Sequence, residues 1–164
     1  MAVDADAFRR ALGQFAAGVT VVTTRDGAGR PLGLTVTAFS SLSLDPPLVL
    51  VCVDNRSEAN QGLRASGLFG VSVLAEEQAE VSRRCAVPGT HKFEDGEWVP
   101  GPQGLPLVAG AIARLECALR SDLPGGDHTI YVGEVLTADV PGGRPLLYWS
   151  AGYRRLDDAR GVEP

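Results

Sequence analysis

A succession of short β-branched and apolar runs, each closed by turn residues and never alternating regularly with helices, limits this chain to a mainly antiparallel fold. Residues 19–24 read as a strand rich in Val and Thr. The string Asp26-Gly27-Ala28-Gly29 reads as a turn and residues 32–39 as the returning arm of a hairpin. After Asp45-Pro46-Pro47, residues 48–53 are apolar throughout, the pattern of a buried strand. Residues 68–74, 129–140 and 146–149 read as further strands. Leu115, Cys117 and Leu119 alternate with Arg114, Glu116 and Arg120, which predicts a strand with one wet face.

Helical signals are few and short. Phe8, Ala11, Leu12, Phe15 and Ala16 share one helical face, with Asp4 and Asp6 at the start and Gly18 as the stop, so a helix is expected within residues 1–18. Ser57 is placed to cap a helix running to about Ser66 and closed by Gly67, and residues 76–86 read as another. Residues 87–106 carry so many Gly and Pro that they are expected to be mostly irregular, and a loop of that length in a small domain is usually functional. Short helices among six or seven strands favour a closed or partly closed antiparallel barrel over a doubly wound sheet, since closure removes exposed edges.

The 164 residues suit one domain, spanning 1–164 with residues 157–164 as a tail. A formal net charge of −5 argues against nucleic acid as the main partner. Residues 1–11 mix Asp and Arg without an apolar run, and no segment reaches the roughly 20 apolar residues of a membrane span, so neither a secretory leader nor a membrane anchor is expected. The three cysteines, Cys52, Cys85 and Cys117, cannot all pair and form no CxxC; a reduced, cytoplasmic protein is the simplest reading. There is no GxGxxG between a strand and a helix and no Walker loop, and two histidines without an HExxH give no zinc pattern.

Five strings in order carry a resemblance: FAAGVTVVTT at 15–24, GLTVTAFSSLSLDPP at 33–47, residues 48–57, GDHTIYVGEV at 126–135 and LYWSAGY at 147–153. Together they make the chain similar to the short-chain flavin reductases from Phe8 to about Leu156. That family includes the reductase components of two-component flavin monooxygenases. The resemblance implies a Greek-key FMN-binding split β-barrel, mainly β with short helices, assembled as a homodimer with flavin near the subunit interface. It further implies NADH or NADPH as donor, FMN or FAD as acceptor, and a partner monooxygenase that receives the reduced flavin.

By the same resemblance, Thr35, Val36, Thr37 and Ala38 lie along the flavin ring, with backbone groups and Thr hydroxyls reaching its edge and ribityl chain. Ser40 and Ser41 face ribityl or phosphate oxygens, and Cys52, Val53 and Asp54 approach the pyrimidine edge. Ser57 is an anion ligand at a helix start or simply a cap, two readings that are compatible. In Thr90-His91-Lys92-Phe93, Lys92 offsets phosphate charge and Phe93 packs near the ring, against the alternatives of an exposed lysine and a loop-anchoring phenylalanine. His128 is the side chain singled out for the donor, beside the nicotinamide, with Asp127 orienting it or serving only the turn. Tyr153 borders the nicotinamide and the dimer contact, or is a core aromatic with its hydroxyl at the surface.

Hydride transfer from nicotinamide C4 to flavin N5 uses atoms of the cofactors alone, so the protein needs to stack two rings and exclude water. Three other functions stay open on the residues: a carrier or oxidase of the same fold that retains FMN, a non-catalytic flavin-binding module, and a thiol hydrolase using Cys85 with His91 or His128. Cys52, set in an apolar strand, reads as a packing residue.

Overall fold

The computed structural model describes residues 2–89, 91–93 and 96–157. Asp4 accepts the amide N–H of Ala7 at 2.8 Å and caps helix α1 (Ala5–Leu12). The helix stops at Gly13 rather than Gly18. Gln14 N–H and Phe15 N–H tighten the chain onto Ala11 and Leu12 carbonyls, and strand β1 (Ala17–Gly18) already pairs elsewhere. No α1 residue is buried.

The order then runs β2 (Thr20–Arg25), β3 (Pro31–Val36), β4 (Phe39–Leu44), β5 (Pro47–Asp54), α2 (Ala59–Ser66), β6 (Leu68–Val73) and α3 (Ala79–Ala86). A 3₁₀ turn (His91–Phe93) leads to β7 (Trp98–Pro100), β8 (Pro106–Val108), β9 (Ala113–Gly125), β10 (His128–Asp139), β11 (Leu147–Trp149) and β12 (Gly152–Arg154). Seven strands form one antiparallel sheet in the order β3-β2-β6-β9-β10-β5-β4. Its edge strands β3 and β4 are consecutive in the chain, so the sheet curls until its ends are joined covalently. One core cluster contains Val22 and Val36 from one end, Val49, Val51 and Val53 from the other, and Phe69, Cys117 and Tyr131 between. This is the expected Greek-key barrel, split between β3 and β4.

β2 is buried on both faces. Val22 points into the barrel, whereas Val21 joins a second cluster with Val19, Leu74, Val81, Cys85, Val108 and Leu146. That outer core seats α3 and the β7–β8 hairpin against the barrel wall. No helix among the described residues is long and apolar enough to cross a membrane.

Several local expectations are corrected. Residues 32–39 are not one strand: β3 ends at Val36, the chain crosses the split at Thr37-Ala38, and Ala38 C=O accepts the Cys52 N–H at 3.0 Å where β4 begins. The missed strand β4 is serine-rich, so periodicity alone left it unread. Ser57 is not the residue flanking α2, which starts one position later behind Glu58. A turn closed by Ser57 N–H on Asp54 C=O displaces it, though its hydroxyl still accepts the Ala59 N–H at 3.3 Å. Helix α3 starts at Ala79 because residues 75–78 close their own turn through Gln78. Residues 87–106 are mostly irregular among the described residues, as expected, but they also hold the 3₁₀ turn and the short β7, which pairs with β8 and was not expected. Glu116 is not on a wet face but fully buried, its carboxylate accepting N–H groups of Gln103 at 3.0 Å and Leu105 at 3.3 Å and the Thr137 hydroxyl at 3.1 Å.

Candidate functional site

The crossing between β3 and β4 separates two clefts whose walls come from consecutive residues of one segment. The first, about 550 Å³, is lined by Leu32 to Thr35, by the Asp54–Ala59 approach to α2, and by the end of α3 with Lys92. The second, about 650 Å³ and more apolar, is lined by Thr37 to Ser40, Leu50 and Cys52, by α1, and by Tyr148 and Trp149.

Among the expected ligands, Thr35, Asp54, Ser57 and Lys92 meet in the first cleft, and Thr37, Ala38, Ser40 and Cys52 in the second. Val36 and Val53 turn their side chains into the barrel core, so only their backbone can face a ligand. Ser41 is exposed on β4 and lines neither cleft. The Thr35 hydroxyl is committed to the Ser82 carbonyl at 2.6 Å, and Ser40 donates to the Ser41 carbonyl at 2.9 Å. Thr90 and the tail beyond Asp157 lie outside the described residues.

Lys92 is not the exposed lysine weighed from sequence; the residue is only 9% accessible. Its ammonium donates to the Gly33 carbonyl at 2.6 Å and the Cys85 carbonyl at 3.3 Å. An ammonium has three N–H donors, so one remains for the cleft. No carboxylate pairs with it among the described residues, and burial pulls it below its ordinary 10.5, opposed by Cys85 and Glu58. Among the described residues this cation in the cleft wall has no salt-bridge partner. Phe93 anchors the same turn: its ring lies against Gly33 and 4.5 Å from that of Trp98, whose indole N–H donates to the Lys92 carbonyl at 2.8 Å.

Asp54 at the cleft mouth is gripped by Arg56 through Nε at 3.1 Å and Nη2 at 2.7 Å, which holds its carboxyl well below the usual carboxylate range. Sequence reading missed Arg56; its only signal is a guanidinium two residues beyond a carboxylate in a turn. His128 sits opposite Asp54 in the β5–β10 ladder. Its Nδ1 lies 2.7 Å from Asp127, whose carboxyl that hydrogen bond holds below its usual range; a carboxylate only accepts, so Nδ1–H is the donor, and Nε2 makes no hydrogen bond among the described residues. The contact forms because Asp127 lies in the turn before β10 rather than on the strand, where neighbours diverge.

Tyr153 lines neither cleft. Its hydroxyl is 2.7 Å from Ser82 Oγ and its ring 5.6 Å from that of Tyr148 in the second cleft. Burial raises all three thiols, Cys85 to about 11 and Cys117 to about 12, so none is a ready thiolate.

An elongated ligand with a flat apolar part and an anionic end matches this arrangement: Thr37, Ala38 and Cys52 offer the apolar contact, and Lys92, Arg56 and Ser57 the anion contacts. The model of the flavin reductase like domain matches residues 12–157. The NADH-dependent FAD reductase of Streptomyces globisporus is 44% identical over 154 residues, 90% of this chain and 84% of that protein. The reductase subunit of a flavin-dependent monooxygenase from Rhodococcus jostii is 39% identical over 164 residues, covering 99% and 80%. A solved structure of a Streptomyces globisporus NADH:FAD oxidoreductase in complex with NAD and FAD fragments superposes with a TM-score of 0.89 at 42% identity, over 98% of this chain and 99% of that one.

Proposed function

The chain belongs to the flavin reductase like family, and on that premise we propose that it is an NAD(P)H-dependent flavin reductase that reduces FMN or FAD and supplies the product to a partner monooxygenase. The observation that carries the reading is Lys92, a buried ammonium lining a cleft with one donor unspent and, among the described residues, no salt-bridge partner. A flavin phosphate suits that cation as a counter-ion.

The bound flavin and nicotinamide supply the redox chemistry, a hydride passing between rings, and the chain supplies place and orientation. Lys92, Arg56 and Ser57 hold the phosphate. Backbone groups from Thr35 to Ala38 line the ribityl chain and ring, and the apolar wall of the second cleft excludes water from the ring. His128, fixed by Asp127, presents Nε2 to the donor's carboxamide.

The same reading makes the protein a single-domain homodimer of the cytoplasm. Strand β4 is an open edge bearing Leu42 at 50% and Leu44 at 93% exposure, and α1 exposes Phe8 and Leu12. Apolar surface of that kind, next to the second cleft, calls for a second copy. The free thiols among the described residues suit a reducing compartment.

Anaerobic spectrophotometry with each flavin and each nicotinamide, following both chromophores together, tests the activity. Stoichiometric loss of NADH or NADPH with bleaching of added flavin supports it. Flavin that stays bound through gel filtration and turns over no added flavin would favour a carrier, and no bleaching at all would overturn the proposal.

A further inference from the structure

Resting on the flavin reading of the first cleft, we propose that Lys92 is a site of covalent acylation by acyl phosphates, and that the resulting amide closes the cleft to flavin phosphates. Of the 15 Lys and Arg side chains, Lys92 is the only lysine. The chain's one side-chain amine therefore stands in the cleft wall, and no arginine shares its chemistry, since a guanidinium stays protonated.

The surroundings hold this amine as a nucleophile. The Trp98 indole N–H fixes the Lys92 carbonyl at 2.8 Å, and the Gly33 and Cys85 carbonyls take two N–H groups of the amine. Loss of the third proton leaves both of those bonds in place and puts the nitrogen lone pair where that N–H pointed, on the cleft side. Burial, which holds the amine below its ordinary 10.5, enlarges the neutral fraction relative to an exposed lysine. Lys92 also lines a smaller cavity of about 360 Å³ beside the end of α3, so two openings meet at it.

The reagent follows from the anion contacts. Arg56 and Ser57 line the same cleft, so a phosphate dianion is drawn to where the amine can touch its oxygens. A carbonyl carbon lies next to that spot when it is bonded directly to a phosphate oxygen, which is the structure of an acyl phosphate. The neutral Nζ attacks this carbon, the bond from carbon to the bridging oxygen breaks, and the oxygen leaves as hydrogen phosphate with a proton from the nitrogen. A C–N amide bond replaces the C–O anhydride bond, and nothing is oxidised or reduced. The product carries no charge, so it cannot serve as a counter-ion to phosphate.

Incubation of the whole wild-type protein with acetyl phosphate, followed by peptide mass mapping and by fluorescence titration with FMN and riboflavin, tests this. The α-amino group, which titrates near neutral pH, is the internal competitor. Lys92 should be acetylated about ten-fold faster than that group, the scale of one charge-assisted contact. FMN and inorganic phosphate should suppress the reaction, and riboflavin should not. Phenyl acetate, an uncharged acyl donor, should show no preference for Lys92. Acetylated protein should bind FMN about ten-fold more weakly and riboflavin as before, whereas Lys92→Arg, which offers no amine there, should bind FMN equally before and after treatment. Acetyl groups confined to the α-amino group, the same preference with phenyl acetate, or acetylated Lys92 with undiminished FMN affinity would overturn the inference and leave the reductase reading intact. No FMN binding by the untreated wild type would overturn both.

Discussion

Lys92 shows how a residue's role depends on what the fold brings to it. The basic-aromatic pair Lys92-Phe93 was legible in the sequence, but its burial was not, because one carbonyl that holds the ammonium belongs to Gly33 on another strand. Replacing it, Lys92→Gln, should weaken FMN and FAD binding by about ten-fold or more while leaving riboflavin, which has no phosphate, nearly unchanged. The pH dependence has a defined sign. Only the protonated amine attracts phosphate, and burial places its pKa below 10.5, so FMN affinity should fall as pH rises through that lowered value. Fluorescence titrations across alkaline pH check this: riboflavin binding should stay flat there, as should FMN binding to the Gln variant. For His128→Ala, steady-state kinetics should show a raised KM for the nicotinamide donor with the flavin dissociation constant little changed.

At the level of elements, the β7–β8 hairpin is held by Glu116, a carboxylate buried in a nest of backbone N–H groups. Gly101 makes room for it, since a Cβ there would stand 2.4 Å from the carboxylate. Glu116→Gln places an NH₂ or a neutral oxygen against N–H donors and should destabilise the protein by about 2 kcal/mol in urea unfolding. Hydrogen exchange should show the loss first in residues 98–108. The turn between β11 and β12 carries Ser150 and Ala151 at φ 48° and 58°, left-handed conformations without a glycine. Ala151→Gly should raise the unfolding free energy by about 1 kcal/mol. Strands dense in Val, Thr and Leu were legible from sequence, as were the turns at 26–29 and 45–47. The serine-rich β4, the β7–β8 hairpin and the burial of Glu116 were not, because long-range pairing and not local composition decides each of them.

Across the whole molecule, the barrel closes at one end through β2 and β3 and at the other through β4 and β5, and the joint between them is where both clefts open. The candidate ligands were legible as a set from their order along the chain; their division between two clefts follows from the strand break at Thr37-Ala38. The exposed edge of β4 carries the prediction on assembly: sedimentation of the wild type should give a dimer, and Leu44→Glu should shift it toward monomer, because a charge at a buried contact is strongly disfavoured. The most direct test of the flavin site is a crystal structure grown with FMN. The phosphate should lie within about 3 Å of Lys92 Nζ with the ring against Thr37 and Ala38; a flavin seated elsewhere, or both clefts filled by side chains, would contradict it.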